Sequence, residues 1–330
     1  MKKSSFSPVQ LMKSFTRFFY SNKFPPIWLS IFRVGTGFIL LASFLSIGTD
    51  FSRLYHPNGI LDIRLLKLDQ HTTAIPSLFE SANPYVRTAY PLLCLLLMAG
   101  LSVRACAAML LFLHGTIFMT QYALYSYGFD YIAASCLFYC LLFPVNRYHS
   151  LDGWLFKLKP AKEETFWLRW LQLHVCIIYF FAGIGKLLGN NWRNGEALWK
   201  ALTQPGFEST FKPDLHGLAA YPWIWVLAGQ SVFLLEVSYP LFIWLKPTRK
   251  YWLWGIVGLH LSIALFMGLY FFSAIMILLN LCTFYYPYLM PANQKQISIP
   301  MVSPLSPLTA TDETRGKASG LIQIPREDMT

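Results

Sequence analysis

Residues Tyr251 to Tyr286 read YWLWGIVGLHLSIALFMGLYFFSAIMILLNLCTFYY, about 36 positions without one Lys, Arg, Asp or Glu. As one α-helix this run would extend ~54 Å, well beyond the ~30 Å hydrocarbon core of a bilayer. It reads instead as two crossings, 251–268 and 269–289, folded back at a short uncharged hairpin near Gly268.

Working outward, six further stretches approach the ~20 apolar residues that a spanning helix needs: 26–48, 88–103, 105–124, 128–145, 166–188 and 223–245. The predicted fold is all-α, a polytopic transmembrane helix bundle of about eight spans (range 6–8). Residues 1–25 form a basic cytoplasmic N-terminal segment, 26–290 the transmembrane domain, and 291–330 a polar tail without sustained periodicity, expected to be disordered. Two long connections, 49–87 and 189–222, carry Pro, Gly, aromatic residues and mixed charge, and are expected to form short interfacial helices over the outer mouth. In the inner connection 149–165, Trp154, Leu155 and Phe156 suit the headgroup layer beside Lys157, Lys159 and Lys162.

Composition agrees. Hydrophobic residues make up 55% of the chain and charged residues 13%, where a soluble domain carries about 25% charge. The net charge of +11 does not imply a nucleic-acid partner, because the positive residues lie between apolar blocks and form no continuous patch. Lys246, Arg249 and Lys250 crowd one short connection, while those near residues 125 and 268 carry no Lys or Arg. This positive-inside pattern puts both termini in the cytoplasm of a protein integral to the plasma (inner) membrane. No cleavable signal peptide is expected, because the first apolar run is too long for an h-region. All six cysteines lie in apolar segments without CxxC or Cys/His zinc spacing, so no metal is expected, and Cys136 and Cys140, one turn apart, read as packing residues. A P-loop, a GxGxxG after a strand, HExxH and Gly-x-Ser-x-Gly are all lacking.

Ionisable residues at membrane depth are costly and direct attention to function. Here they are Arg33, His114, Asp130, His174, Lys186, Glu236 and His260. Arg33 and Glu236 could form a buried pair that orients two helices, or belong to a site. His114 and His174 read as hydrogen-bonded packing residues. Lys186 ends the string YFFAGIGK, where Tyr179, Gly183 and Lys186 share a helical face. It is either a lysine snorkelling to the headgroups or a desolvated lysine able to act as a base.

The string YFFAGIGKLLGNNWRNGEAL, Tyr179 to Leu198, resembles the signature of the HTTM domain, the vitamin K-dependent gamma-carboxylase-like membrane family. Trp192 and Gly195 fall at its Trp and Gly. Leu29 to Arg33 with Gly37 resembles the first-span arginine motif of that family. Asn146 with Ser150-Leu151-Asp152-Gly153 resembles its inner-loop motif, His260 before Met267 to Phe272 its late histidine helix, and Glu236 its acidic position. The resemblance covers about residues 20–290. It implies an outward-facing pocket around Lys186, with Arg33, Tyr179, Gly183, Trp192, Glu236 and His260 as pocket or structural residues. It implies as cofactor a reduced quinone of the vitamin K or menaquinol type, which Lys186 deprotonates. Oxygen then converts the quinol to a strong base that takes a proton from a peptide glutamate before CO2 adds. Departures are visible. Gly128-Phe129-Asp130 lacks the Asn-His pair of the carboxylase, Gly185 stands where a second lysine precedes the motif lysine, and no counterpart of the large lumenal domain is expected. The expected partners are the lipid bilayer and a secreted peptide or small-molecule substrate. The alternative is a non-enzymatic membrane scaffold or maturation and export partner for a secreted peptide. A transporter is disfavoured, because no inverted repeat with paired broken helices is evident.

Overall fold

The computed structural model describes residues 8–20, 24–51, 76–120, 126–203, 211 and 214–289. The polar tail and much of the 49–87 connection lie outside the described residues. Within them the chain is helical: α1 Pro8–Tyr20, α2 Ile27–Ile47, α3 Pro76–Ala99, α4 Val103–His114, α5 Gly128–Leu142, α6 Leu151–Leu155 and α7 Glu164–Leu188. There follow α8 Asn190–Arg193, α9 Glu196–Thr203, α10 His216–Ala219, α11 Pro222–Phe242, α12 Arg249–Met267 and α13 Tyr270–Asn280. α4 and α13 continue as π-helical turns over Gly115–Thr120 and Leu281–Leu289. In hydrocarbon every backbone N–H must find its carbonyl within the segment, so long apolar runs leave the helix as the available structure.

Each of the eight predicted spans is a helix. Five helices are long and apolar enough to cross a bilayer: Ile27–Ile47, Glu164–Leu188, Pro222–Phe242, Arg249–Met267 and Tyr270–Leu289, with shorter apolar helices at Tyr85–Ala99, Val103–Phe118 and Gly128–Leu142. One boundary differs from expectation. α3 begins at Pro76, not near residue 88, so 76–87 is no separate loop. Its polar Ser77, Glu80, Ser81 and Arg87 suggested a connection, but a helix needs apolar side chains only where hydrocarbon surrounds it.

Large apolar side chains cover the bundle as well as fill it. Phe38 (58% exposed) and Phe181 (66%) point outward, while Trp28 and Leu171 on the same two helices, and Leu97 on α3, are 0% exposed. An outer face this apolar seeks lipid. All six cysteines are buried free thiols.

α7 packs along α11, α2 against α3, and α12 turns back on α13. That last turn is the hairpin the 36-residue run demanded. Gly268 adopts φ +69° at the end of α12, and its N–H donates to the Ala264 carbonyl at 3.0 Å. A side chain in the left-handed region costs roughly 1–2 kcal/mol, so Gly268→Ala is expected to lose about that much in detergent unfolding. Gly258→Ala, whose added Cβ meets nothing within 4 Å, should lose nothing. α11 contains Pro240 in its last turn; proline cannot donate to the carbonyl four residues back, here that of Glu236.

Candidate functional site

Because successive helices reverse direction, the chain turns at two ends. One carries Ile47, Tyr127, Leu188 and Gly268; the other carries Gly100, the 146–163 connection and Lys246.

At the Gly268 end Lys186 Nζ donates to Glu236 Oε2 at 2.6 Å, with the two side chains 23% and 7% exposed. Gly183 makes the pairing possible. A Cβ there would stand 2.6 Å from the Val237 nitrogen and 3.0 Å from Glu236 Cβ, so only a residue without a side chain lets α7 approach α11 this closely. The segment after α7 then folds over the pair. Gly229 of α11 abuts the Trp192 carbonyl, and Lys186 Nζ lies 5.4 Å from the centroid of the Trp192 ring, within cation–π range. The short helices α8, α9 and α10 occupy the connection where interfacial helices were expected.

Two turns along the same face of α7, about 10 Å away by helical rise, lies a closed polar chain. Tyr239 Oη donates to Asn280 Oδ1 at 2.7 Å, Asn280 Nδ2 donates to Tyr179 Oη at 2.7 Å, and Tyr179 Oη bonds His260 Nε2 at 2.8 Å. His260 Nδ1, the other ring nitrogen, is a buried atom without a hydrogen-bond partner. This chain ties α7, α11, α12 and α13 together through side chains buried in the bundle. Asn280 was missed in the sequence because an amide is not ionisable. Its signal was being the sole Asn within the 36-residue apolar run.

Arg33 stands elsewhere, and the pairing with Glu236 that was one of its two readings is not formed. Its guanidinium donates to the Leu97 and Met98 carbonyls, each at 2.9 Å, and to the His149 carbonyl at 2.6 Å. The last carbonyls of a helix have no intrahelical donors, and Arg33 supplies them to α3 at the Gly100 end. Asp152 completes the junction by accepting from the Ser102 and Val103 N–H groups at 2.8 and 3.1 Å, thereby capping α4. Ser30 Oγ adds a bond to the Tyr148 carbonyl at 3.1 Å. The arginine motif of the first span and the Asn146–Gly153 motif are thus two halves of one structural knot, at the end of the bundle opposite Lys186.

Arg169, near the start of α7, is 5% exposed. It bonds Tyr288 Oη and, at 3.0 Å, Gln172 Oε1, and lies 4.7 Å from the Phe18 ring centroid. His174 has Tyr139 as partner at 2.6 Å and His114 has Tyr90 at 3.0 Å.

These features define a polytopic helical membrane protein with an ion pair at one end of its bundle and an arginine-centred knot at the other. The HTTM domain profile matches residues 22–288, and the chain belongs to the HTTM family. No curated protein and no solved structure gives a significant match.

Proposed function

We propose that this protein is a quinol-dependent membrane enzyme of the carboxylase-like kind, modifying a secreted peptide or small molecule. Lys186 is its base and Glu236 the store for the lysine's proton. The observation that carries the reading is the 2.6 Å contact between Lys186 Nζ and Glu236 Oε2. In a poorly solvated setting, a proton moving from Nζ to the carboxylate leaves a neutral amine beside a neutral acid, and this form costs less to bury than two charges. The neutral amine is then free to accept a proton from a phenolic hydroxyl.

The residues present suit a reduced quinone. The Trp192 face offers a stacking surface, Lys186 Nζ lies 5.4 Å from its centroid, and a Cβ added at Gly185 would meet nothing within 4 Å. A bound reduced quinone supplies, with oxygen, the strong base that the chain itself lacks. Lys186 takes the hydroxyl proton, Glu236 holds the proton the lysine has released, and Trp192 orients the ring. The orientation that accompanies this reading has both termini in the cytoplasm of the plasma membrane, with Lys186 at the outer boundary. A reporter fused after Lys250 should then report the cytoplasmic side.

The test is oxygen uptake by detergent-solubilised protein supplied with menaquinol. General-base catalysis contributes about 10²–10⁴-fold, so Lys186→Ala should reduce uptake by at least about 10²-fold while leaving the helical content unchanged. Uptake equal to wild type would dismiss Lys186 as the base. The competing reading, a non-enzymatic scaffold or export partner, draws on the closure of the same pair, since a satisfied ion pair also clamps two helices. It predicts co-purification of a secreted peptide and no quinol binding.

A further inference from the structure

We infer that a cavity between α2, α3, α4 and α5 binds a small organic amine in its ammonium form, held by Asp130 and His114 together. Its volume is about 200 Å³, and its lining includes Phe44, Tyr90, His114, Phe129, Asp130 and Phe271. Neither Lys186 nor Glu236 lines it.

Charge bookkeeping is the first argument. Asp130 is 6% exposed. Its Oδ2 accepts the Tyr127 N–H at 3.0 Å, and among the described residues no Lys or Arg reaches it. A buried carboxylate needs a counter-charge. His114 Nε2 stands 3.7 Å from Oδ1, beyond hydrogen-bond length, so the two side chains do not close on one another.

His114 itself is the second argument. It is 1% exposed, and its Nε2 has no hydrogen-bond partner. Its other nitrogen, Nδ1, is engaged by Tyr90 Oη at 3.0 Å. In the tautomer that carries the ring hydrogen on Nδ1, donated to the tyrosine oxygen, Nε2 is a bare acceptor, and this is the form the amine would select. An ammonium group set beside Nε2 and Oδ1 donates one N–H to each, meeting the unpartnered ring nitrogen and a carboxylate oxygen with a single atom. A hydroxyl, with one hydrogen, satisfies only one of two acceptors.

The walls complete the case. Phe44 stacks on Tyr90 with centroids 4.7 Å apart, and Phe129 and Phe271 face the same space. Aromatic faces attract an ammonium group and its adjoining carbons. An apolar cavity of roughly 150 Å³ takes up benzene, so this one has room for a single ring with a short aminoalkyl arm. Access is from the Gly268 end, where Ser46 and Tyr127 belong to the lining and Tyr127 is 37% exposed.

The experiment is calorimetric titration of the full chain in detergent with 2-phenylethylamine, and with 2-phenylethanol as the neutral isostere. The amine should bind, and the alcohol should bind at least about tenfold more weakly, the difference one desolvated charge pair makes. Asp130→Asn keeps an oxygen for the Tyr127 N–H and should still lower amine affinity by at least that factor. Ser43→Phe, which occupies the cavity without altering either polar group, should abolish binding. Lys186→Ala should leave amine binding unchanged, so this inference and the quinol reading fail separately. Equal binding of amine and alcohol, absence of amine binding to the wild type, or undiminished affinity in Asp130→Asn would each overturn the assignment.

Discussion

Replacing Arg33 by methionine is expected to destabilise the bundle by about 3 kcal/mol or more, within the range for breaking a buried, hydrogen-bonded charge site. The side chain is 0% exposed; it donates to the Leu97 carbonyl, which Gly100 N–H also reaches at 3.1 Å, and to the Met98 and His149 carbonyls, which depend on its hydrogens. Methionine fills a similar volume, so a cavity does not account for the loss; the orphaned carbonyls do. Arg33→Lys should recover only part, because a single ammonium on a flexible stem cannot reproduce the planar fork that reaches α3 and the following connection together. Thermal unfolding in detergent measures the effect. Labelling of Cys94 and Cys106, both buried beside this junction, should rise in the methionine variant before global unfolding.

The second large effect separates stability from chemistry at the ion pair. Lys186→Ala leaves the Glu236 side chain, 7% exposed, without its partner, and stranding a buried charge costs about 3–5 kcal/mol at full burial. Because Lys186 is 23% exposed and water reaches the site from that side, about 2 kcal/mol is expected here. Glu236→Gln should cost less, about 1 kcal/mol, since the freed lysine extends toward the aqueous boundary. The double variant Lys186→Met with Glu236→Leu should regain most of the lost stability, as buried pairs replaced by apolar groups often do. It should nevertheless remain inactive with menaquinol. Restored stability together with restored oxygen uptake would remove the pair from the chemistry and leave it a helix clamp.

Much of the fold could be read from the residues because the bilayer imposes a length rule. The Tyr251–Tyr286 run is too long for one crossing, and Gly268 was the cheapest place to reverse it, which is where the structure turns. The start of α3 escaped because Ser77 to Arg87 lie on a helix whose apolar part begins only at Tyr85. The site was less legible. Sequence identifies which residues are expensive to bury but not which of them meet, so Glu236 was offered to Arg33 although the Gly183 contact delivers it to Lys186. Spacing did place Tyr179, Gly183 and Lys186 on one face, and all three face α11 or the polar chain beside it. Asn280, which carries that chain from Tyr239 to Tyr179, stayed hidden because a neutral amide leaves no trace in a charge count.

Pro240 gives the ion pair a mechanical setting. Its ring removes the main-chain tether from the Glu236 carbonyl, so the turn that presents the carboxylate is the compliant joint of an otherwise stiff rod. A guest that draws Lys186 aside therefore need not wrench Glu236 through a rigid ladder. With one main-chain bond fewer holding that turn, shifting the Glu236 carboxylate costs less than it would in an unbroken helix.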